Sequence, residues 1–142
     1  MKKIMVLHGP NLNLLGFRKP HIYGKETLQD INGEILEKSS KLKVRVEIFQ
    51  FNSEGQLIEQ IHKAHNMYDG IIINPAAFTH YSYAIRDAIE AIEIPTIEVH
   101  LSNIYNRECF RAKSVISPVC LGQISGLGKE GYILALEKLA SL

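Results

Sequence analysis

One polar stretch, residues 9–24, contains two side chains that together could move a proton, Arg18 and Tyr23. The stretch follows a short apolar run and is interrupted by glycine and proline, so it predicts a loop in which Pro20 holds the pair close. A tyrosine hydroxyl ordinarily has a pKa near about 10, and a neighbouring guanidinium favours the phenolate and lowers that pKa. The pair is therefore a candidate general base near neutral pH, and the alternative is two exposed loop residues without a role.

A second candidate pair, Glu98 and His100, lies on a predicted strand. Residues two apart on a strand point to the same face, so the carboxylate can fix the tautomer and orientation of the imidazole. His100 is therefore a candidate proton donor. The alternative is a histidine with a purely structural role at the end of a strand.

Further polar residues follow the predicted strands, at the edge where open parallel sheets bind their ligands. Asn11 follows the first strand, Asn74 and His80 follow the third, and Ser102 and Asn103 follow the fourth. This distribution predicts one site built by several loops.

Two arginines beyond the fourth strand, Arg107 and Arg111, are spaced by one helical turn. If the segment is helical, both guanidinium groups face the same way and could bind an anionic, oxygen-rich substrate. The alternative is a solvated helix face.

The elements that must position these residues alternate between strand and helix. Apolar runs and alternating patterns predict strands at 4–7, 43–51, 71–73, 96–101 and 119–124, and amphipathic periodicity predicts helices at 27–37, 57–69, 83–92 and 132–139. We interpret residues 38–43 as a turn region. The alternation predicts an α/β, flavodoxin-like three-layer sandwich whose five-stranded parallel sheet has the order 2-1-3-4-5. A length of 142 residues predicts a single domain, 1–142.

Composition narrows the classes of partner. The net charge is +1 and no run of like charge is longer than Lys2-Lys3, so neither nucleic acid nor a membrane surface is expected to bind. No apolar run approaches the roughly 20 residues of a membrane span, and the run after the basic start ends at His8, so we expect a cytoplasmic protein. Cys109 and Cys120 lack metal or redox spacing, which predicts reduced structural thiols.

Two local patterns could be mistaken for sites. His62 and His65 have a spacing that can bind a metal, but no carboxylate or cysteine completes a recognisable ligand pattern. Residues 126–131 match the dinucleotide fingerprint, but the chain has no later strand to supply the acidic residue for the ribose. We interpret these glycines as a tight turn into the last helix. A flavodoxin-like module that binds a nucleotide or flavin remains the alternative function.

Taken together, the motifs closely resemble those of the type II 3-dehydroquinate dehydratases over nearly the whole chain. The resemblance rests on Gly9-Pro10-Asn11-Leu12-Asn13-Leu14-Leu15-Gly16, Arg18-x-Pro20 with Tyr23-Gly24, Asn74-Pro75-Ala76-Ala77-Phe78-Thr79-His80, Arg86-Asp87, Glu98-Val99-His100-Leu101-Ser102-Asn103, and Arg107 with Phe110-Arg111. Several independent motifs in one order make the resemblance specific.

The resemblance implies roles for the candidate catalytic residues. Tyr23 would be the general base that removes a proton next to the ketone of 3-dehydroquinate, and Arg18 would stabilise its phenolate. Asn11 would hold a water against the enolate oxygen. His100, oriented by Glu98, would protonate the departing hydroxyl.

The resemblance also implies how the substrate is held and how the chain assembles. The substrate-binding residues would be Asn74, Leu101 and Ser102 for the carboxylate, His80, Asp87 and Arg111 for the ring hydroxyls, and Arg107. Asp87 would reach in from a neighbouring subunit of a homo-oligomer, a dodecamer built from trimers. No covalent intermediate, metal or cofactor is expected.

The chain departs from the family pattern at a few positions. Lys19 stands where glutamate is usual, Ala76 stands where glycine is common, and residues 104–106 differ from the usual sequence. Because none of these changes removes a catalytic group, we expect them to affect lid mobility and inhibitor preference rather than activity.

Overall fold

A computed structural model of the protein describes residues 1–17, 21 and 25–142. The predictions for Arg18, Lys19 and Tyr23 therefore lie outside the described residues. The structure has a five-stranded parallel sheet with the order β2-β1-β3-β4-β5, which confirms the predicted fold. The strands are β1 (Lys3–His8), β2 (Arg45–Gln50), β3 (Gly70–Asn74), β4 (Thr96–His100) and β5 (Gly122–Ser125).

Helices cover both faces of the sheet. In the described part of the chain they are α1 (Leu28–Leu42), α2 (Glu54–Lys63), α3 (Tyr83–Ile92) and α4 (Glu130–Ala140). Alternate residues of the central strands enter two separate apolar clusters: Met5 and Leu7 pack with α2 and α3, whereas Ile4 and Val6 pack with α1 and α4. β3 and β4 are buried along their whole length and β1 is buried from Ile4 onward. The apolar residues Ile71–Ile73 predict this for β3, whereas β4 is buried although Thr96, Glu98 and His100 are polar.

Helix α1 is longer than the sequence predicted. It begins with a capping box, in which Thr27 Oγ1 accepts a hydrogen bond from the Asp30 N–H at 3.1 Å and Asp30 Oδ2 accepts one from the Thr27 N–H at 3.0 Å. It then runs through most of the segment predicted as a turn, because Ser39 continues the buried stripe. The helix ends where Lys43 takes the left-handed conformation, with φ 57°.

Other predicted boundaries were also wrong. Helix α2 ends at Lys63, several residues before the predicted end, and residues 64–67 form turns. Strand β5 begins at Gly122, because Ser117–Val119 forms a 3₁₀ turn that contains Pro118. In contrast, α3 has the bounds that its periodicity predicted.

Candidate active site

A cavity of about 460 Å³ opens at the carboxyl edge of the sheet, beyond β1, β3 and β4. Most of the predicted site residues line it, namely Asn11, Asn74, His80, His100, Leu101, Ser102, Arg107 and Arg111. Glu98 is buried behind His100. Asp87 is exposed on α3 and does not line the cavity, while Arg18 and Tyr23 lie outside the described residues.

The segments that follow β1 and β3 lie so close together that position 9 requires glycine. The Gly9 N–H donates a 2.7 Å hydrogen bond to the Asn74 carbonyl. A Cβ atom at position 9 would lie only 2.7 Å from the Pro75 carbonyl carbon and oxygen. Only glycine lets the two loops lie side by side, and this brings Asn11 and Asn74 into one cavity.

The Glu98 and His100 side chains meet on one face of β4, as the strand spacing predicted. His100 Nε2 lies 2.5 Å from Glu98 Oε2, and both side chains are almost fully buried. Among the described residues, no group bonds to the second ring nitrogen, Nδ1. The ring therefore keeps one nitrogen for a ligand while the carboxylate fixes its orientation.

Two hydroxyl groups also donate hydrogen bonds to the Glu98 carboxylate. Thr79 Oγ1 donates a hydrogen bond to Oε2, and Ser114 Oγ lies 2.9 Å from Oε1 and 3.0 Å from Oε2. Burial raises the pKa of this carboxyl, but the hydrogen bond and charge of His100, together with both hydroxyls, hold it below its usual range. Glu98 is therefore a carboxylate despite having no exposed surface.

A second series of buried, hydrogen-bonded polar side chains ends at Asn74. Its Nδ2 lies 3.0 Å from the Tyr132 hydroxyl, which lies 3.0 Å from His8 Nδ1, and His8 Nε2 lies 2.8 Å from Asn32 Oδ1. Burial lowers the pKa of His8 to about 4, against a smaller opposing effect of the hydrogen bond to Asn32. Burial also raises the pKa of Tyr132. Both groups are therefore neutral at neutral pH.

The turn after β3 carries backbone strain beside the cavity. Ala76 begins a 3₁₀ segment, Ala76–His80, and has φ 52°, a conformation that favours glycine by roughly 1 kcal/mol. This explains why glycine suits the position that Ala76 occupies. At the end of the segment, His80 Nδ1 lies 2.8 Å from the Lys113 carbonyl oxygen, which fixes the Nδ1–H tautomer.

Arg107 and Arg111 do not lie on one helix, as their spacing had suggested. Arg107 has an extended backbone, and Arg111 lies in the 3₁₀ segment Cys109–Ala112. Arg111 Nε donates to Glu108 Oε2 at 2.7 Å, and its guanidinium carbon lies 4.8 Å from the centre of the Phe110 ring. Both arginines still line the cavity, so it has a cationic wall.

Lys129, which also lines the cavity, bridges two carboxylates. Its Nζ lies 2.9 Å from Glu34 Oε1 and also bonds to Glu26. The preceding glycines, Gly126 and Gly128, have φ 89° and 57°, which confirms that this segment is a turn into α4. The pairs join α4 to α1 and to the chain just before α1.

Sequence reasoning missed several of these polar groups. His8 was treated as the end of an apolar run and Tyr132 as part of an apolar helix face, and neither Thr79 nor Ser114 was singled out. One signal was available in the sequence, because β1, β3 and β4 all end in a polar residue. The structure then pairs His8 in register with Asn74.

The structure also bears on metal binding and membrane insertion. In the described part of the chain, no three His, Cys, Asp or Glu side chains are grouped so that they could hold a metal ion. Within the same residues, no helix has the length and apolar character needed to cross a bilayer. Cys109 and Cys120 are both free thiols, and burial raises the pKa of Cys120 to about 12.

Comparisons with known proteins agree with the motif resemblance. The sequence matches the family described as Dehydroquinase class II over residues 2–140. A 3-dehydroquinate dehydratase of Pelotomaculum thermopropionicum is 58% identical over 140 residues, covering 99% of this chain and 97% of that protein. The type II dehydroquinase of Propionibacterium acnes superposes with a TM-score of 0.95 at 46% identity, covering 100% of this chain and 98% of that one. The type II dehydroquinase of Butyrivibrio crossotus gives a TM-score of 0.94 at 49% identity, with 97% of each chain covered.

Proposed function

Because the chain belongs to the class II dehydroquinase family, we propose that it removes water from 3-dehydroquinate to give 3-dehydroshikimate. The observation that carries the proposal is the hydrogen-bonded pair of Glu98 and His100 at the wall of a cavity that Arg107 and Arg111 also line. A cyclic carboxylic acid with several hydroxyl groups fits this arrangement, because arginines bind its oxygens and the imidazole can transfer a proton to one of them.

The first step is the removal of a proton from the carbon next to the ketone. We assign this step to Tyr23 as the phenolate, with Arg18 stabilising that anion, on the strength of the family motif that both residues match. The electron pair left behind makes an enolate. Asn11, which lines the cavity, would hold a water molecule against the enolate oxygen.

The second step is the loss of the hydroxyl group. The enolate returns its electrons and forms the carbon–carbon double bond as the carbon–oxygen bond breaks, and His100 gives its proton to the leaving oxygen, so water departs. Nδ1 suits this transfer because Nε2 is held by Glu98. The carboxylate also stabilises the imidazolium before the proton leaves.

The remaining site residues would hold the substrate. We assign Asn74, Leu101 and Ser102 to its carboxylate and His80, Asp87, Arg107 and Arg111 to its other oxygens. Because Asp87 is exposed and does not line the cavity of its own chain, we assign its contact to the site of a neighbouring subunit, on the strength of the family motif. We therefore propose a homo-oligomer, a dodecamer of trimers, in which residues 1–142 form one catalytic domain that works in the cytoplasm without a cofactor.

Direct assay tests the reaction. Purified protein mixed with 3-dehydroquinate should produce the ultraviolet absorption of a conjugated product, and the rate should be proportional to enzyme concentration. Tyr23→Phe protein, which keeps the ring but cannot form a phenolate, should lose most of this turnover. Absence of the absorption band with wild-type protein would overturn the proposed function, and full turnover by Tyr23→Phe would overturn only the assigned base.

A further inference from the structure

The buried chain that ends at Asn74 has only one consistent arrangement of hydrogen atoms. Asn74 Oδ1 accepts a 3.1 Å hydrogen bond from the Ala76 N–H, which identifies the oxygen end of the amide. The Nδ2 end, which can only donate, therefore points to the Tyr132 hydroxyl at 3.0 Å. The Tyr132 oxygen accepts at that contact, so its own hydrogen must go elsewhere.

The hydroxyl hydrogen of Tyr132 goes to His8. His8 Nδ1 lies 3.0 Å from the Tyr132 oxygen and must lack a proton in order to accept. The neutral ring then carries its proton on Nε2 and donates it to Asn32 Oδ1 at 2.8 Å. Every member of this hydrogen-bonded series thus has one fixed role, and the burial that lowers the pKa of His8 to about 4 favours the neutral ring that this requires.

Of the four side chains in this hydrogen-bonded series, only Asn74 contacts the cavity. Asn74 lines the cavity, whereas His8 and Tyr132 have no exposed surface and do not line it. An amide nitrogen has two hydrogens, and Tyr132 takes one of them. No other group in the described residues accepts from Nδ2, so the second hydrogen is available to a ligand.

We propose that His8 and Tyr132 are positioning residues that fix the rotation of the Asn74 amide so that one N–H faces the substrate carboxylate. Without the Tyr132 hydroxyl, a buried Nδ2 hydrogen would lack an acceptor, and the amide would turn to find one. The inference rests on the proposed function only for the identity of the ligand, because the hydrogen bonds among Asn74, Tyr132 and His8 belong to the fold.

Kinetics of Tyr132→Phe test the inference. This variant keeps the buried ring and removes only the hydroxyl, so we expect a folded protein whose KM for 3-dehydroquinate rises about tenfold while kcat changes by less than about threefold. Tyr68→Phe is the matched control, because the Tyr68 hydroxyl also makes a hydrogen bond, at 2.7 Å to Glu47 Oε1. Neither Tyr68 nor Tyr132 lines the cavity. The control should keep the wild-type KM.

Variants of His8 test whether an acceptor for the Tyr132 hydroxyl is enough to keep the wild-type KM. Asparagine places a carbonyl oxygen near the position of Nδ1 and can accept from Tyr132, so His8→Asn should keep KM within about threefold of wild type. His8→Leu removes the acceptor and should behave like Tyr132→Phe. If His8→Leu does not fold, the comparison of Tyr132→Phe with His8→Asn still carries the test.

A double variant shows whether Tyr132 acts through Asn74. In an Asn74→Ala background, Tyr132→Phe should change KM by less than about twofold, because the amide it positions is gone. A wild-type KM in folded Tyr132→Phe, or an equal rise in both backgrounds, would overturn the inference.

A crystal structure of Tyr132→Phe gives a reading that does not depend on turnover. We expect the Asn74 amide to rotate or to gain an ordered water in place of the hydroxyl, and an unmoved amide without a new partner would overturn the inference. Wild-type protein that lacks turnover would instead refute the proposed function, and the crystal structure would still test the role of Tyr132.

Discussion

Two buried histidines at the same edge of the sheet have opposite surroundings. His8 ends β1 and His100 ends β4, and their exposed fractions are 0% and 5%. The partners of His8 are a phenol and an amide, both neutral. His100 faces a carboxylate at 2.5 Å, and two hydroxyls donate to that carboxylate.

The two rings differ in the charge of the partner they meet: His8 contacts only neutral groups, whereas His100 contacts a carboxylate. Burial disfavours the charged form of the His8 ring, and nothing opposes it there except a neutral amide, so the pKa of His8 falls to about 4. At His100 an anion is in direct contact, and that anion is stabilised in turn by Thr79 and Ser114. One histidine can therefore order a neutral chain, while the other can carry a proton to a ligand.

Replacing His100 should have the largest effect, because it removes the proton donor itself. We expect His100→Gln to lower kcat by about a thousandfold with little change in fold. His62→Gln is the matched control, since His62 is exposed on α2 and does not line the cavity. Steady-state rates with 3-dehydroquinate check this, and a decrease of less than about tenfold would show that His100 is not the acid.

Neutralising the anion beside His100 should have the next largest effect. In Glu98→Gln, the donors Thr79, Ser114 and His100 would meet an amide with a single acceptor oxygen, and the imidazolium would lose its counter-charge. We expect kcat to fall about a hundredfold.

Glu54→Gln controls for the Glu98 variant, because Glu54 also accepts a hydroxyl hydrogen bond, from Ser82 at 2.6 Å, and lies outside the cavity lining. Its rate should stay near wild type. Equal rates for the two variants would mean that the anion at Glu98 does not assist the reaction.

Local sequence patterns predicted one of the two histidine environments and missed the other. Glu98 and His100 are two residues apart on one strand, so strand periodicity alone brings them together. His8 and Tyr132 are 124 positions apart, and Tyr132 and Asn74 are 58 apart. No periodicity reports such contacts, because they depend on how α4 packs against the sheet.

The fold itself was largely predictable, since strands buried on both faces have an apolar composition and the alternation of strand and helix allows few topologies. Boundaries that depend on tertiary packing were not predictable. Ser39 is an example, because a polar residue continues the buried stripe of α1 and extends that helix.

Acid should destabilise the fold through His8. Its pKa in the folded protein, about 4, lies below its ordinary value of 6.5, so between these values the unfolded chain binds the proton more readily. The stability that neutral His8 contributes is therefore complete above about pH 6.5 and is lost as the pH falls towards 4. We expect a loss of about 2 kcal/mol in unfolding free energy between about pH 7.5 and pH 5 from this residue.

Urea unfolding of wild type and His8→Asn at both pH values isolates the contribution of His8, because asparagine does not titrate. The pH-dependent loss should be about 2 kcal/mol smaller in the variant. Equal losses in both proteins would mean that His8 is protonated in the folded state as readily as in the unfolded chain, and the contrast with His100 would disappear.

The smallest expected effect concerns how firmly the anion beside His100 is held. Thr79 has no exposed surface, and valine has its shape without the hydroxyl, so Thr79→Val removes one donor to Glu98 and leaves Ser114 and His100 in place. Because two donors remain, we expect kcat to fall only about threefold and unfolding free energy to fall by about 1 kcal/mol.

Thr96→Val separates the two effects of the Thr79 change. Thr96 is also buried, and its hydroxyl donates to the Ile94 carbonyl at 2.9 Å at the other end of β4. The variant should lose similar stability and keep its kcat, because its hydroxyl does not touch Glu98. If both threonine variants keep wild-type kcat, Ser114 and His100 are enough to orient the carboxylate. The environment of His100 would then depend on fewer contacts than that of His8.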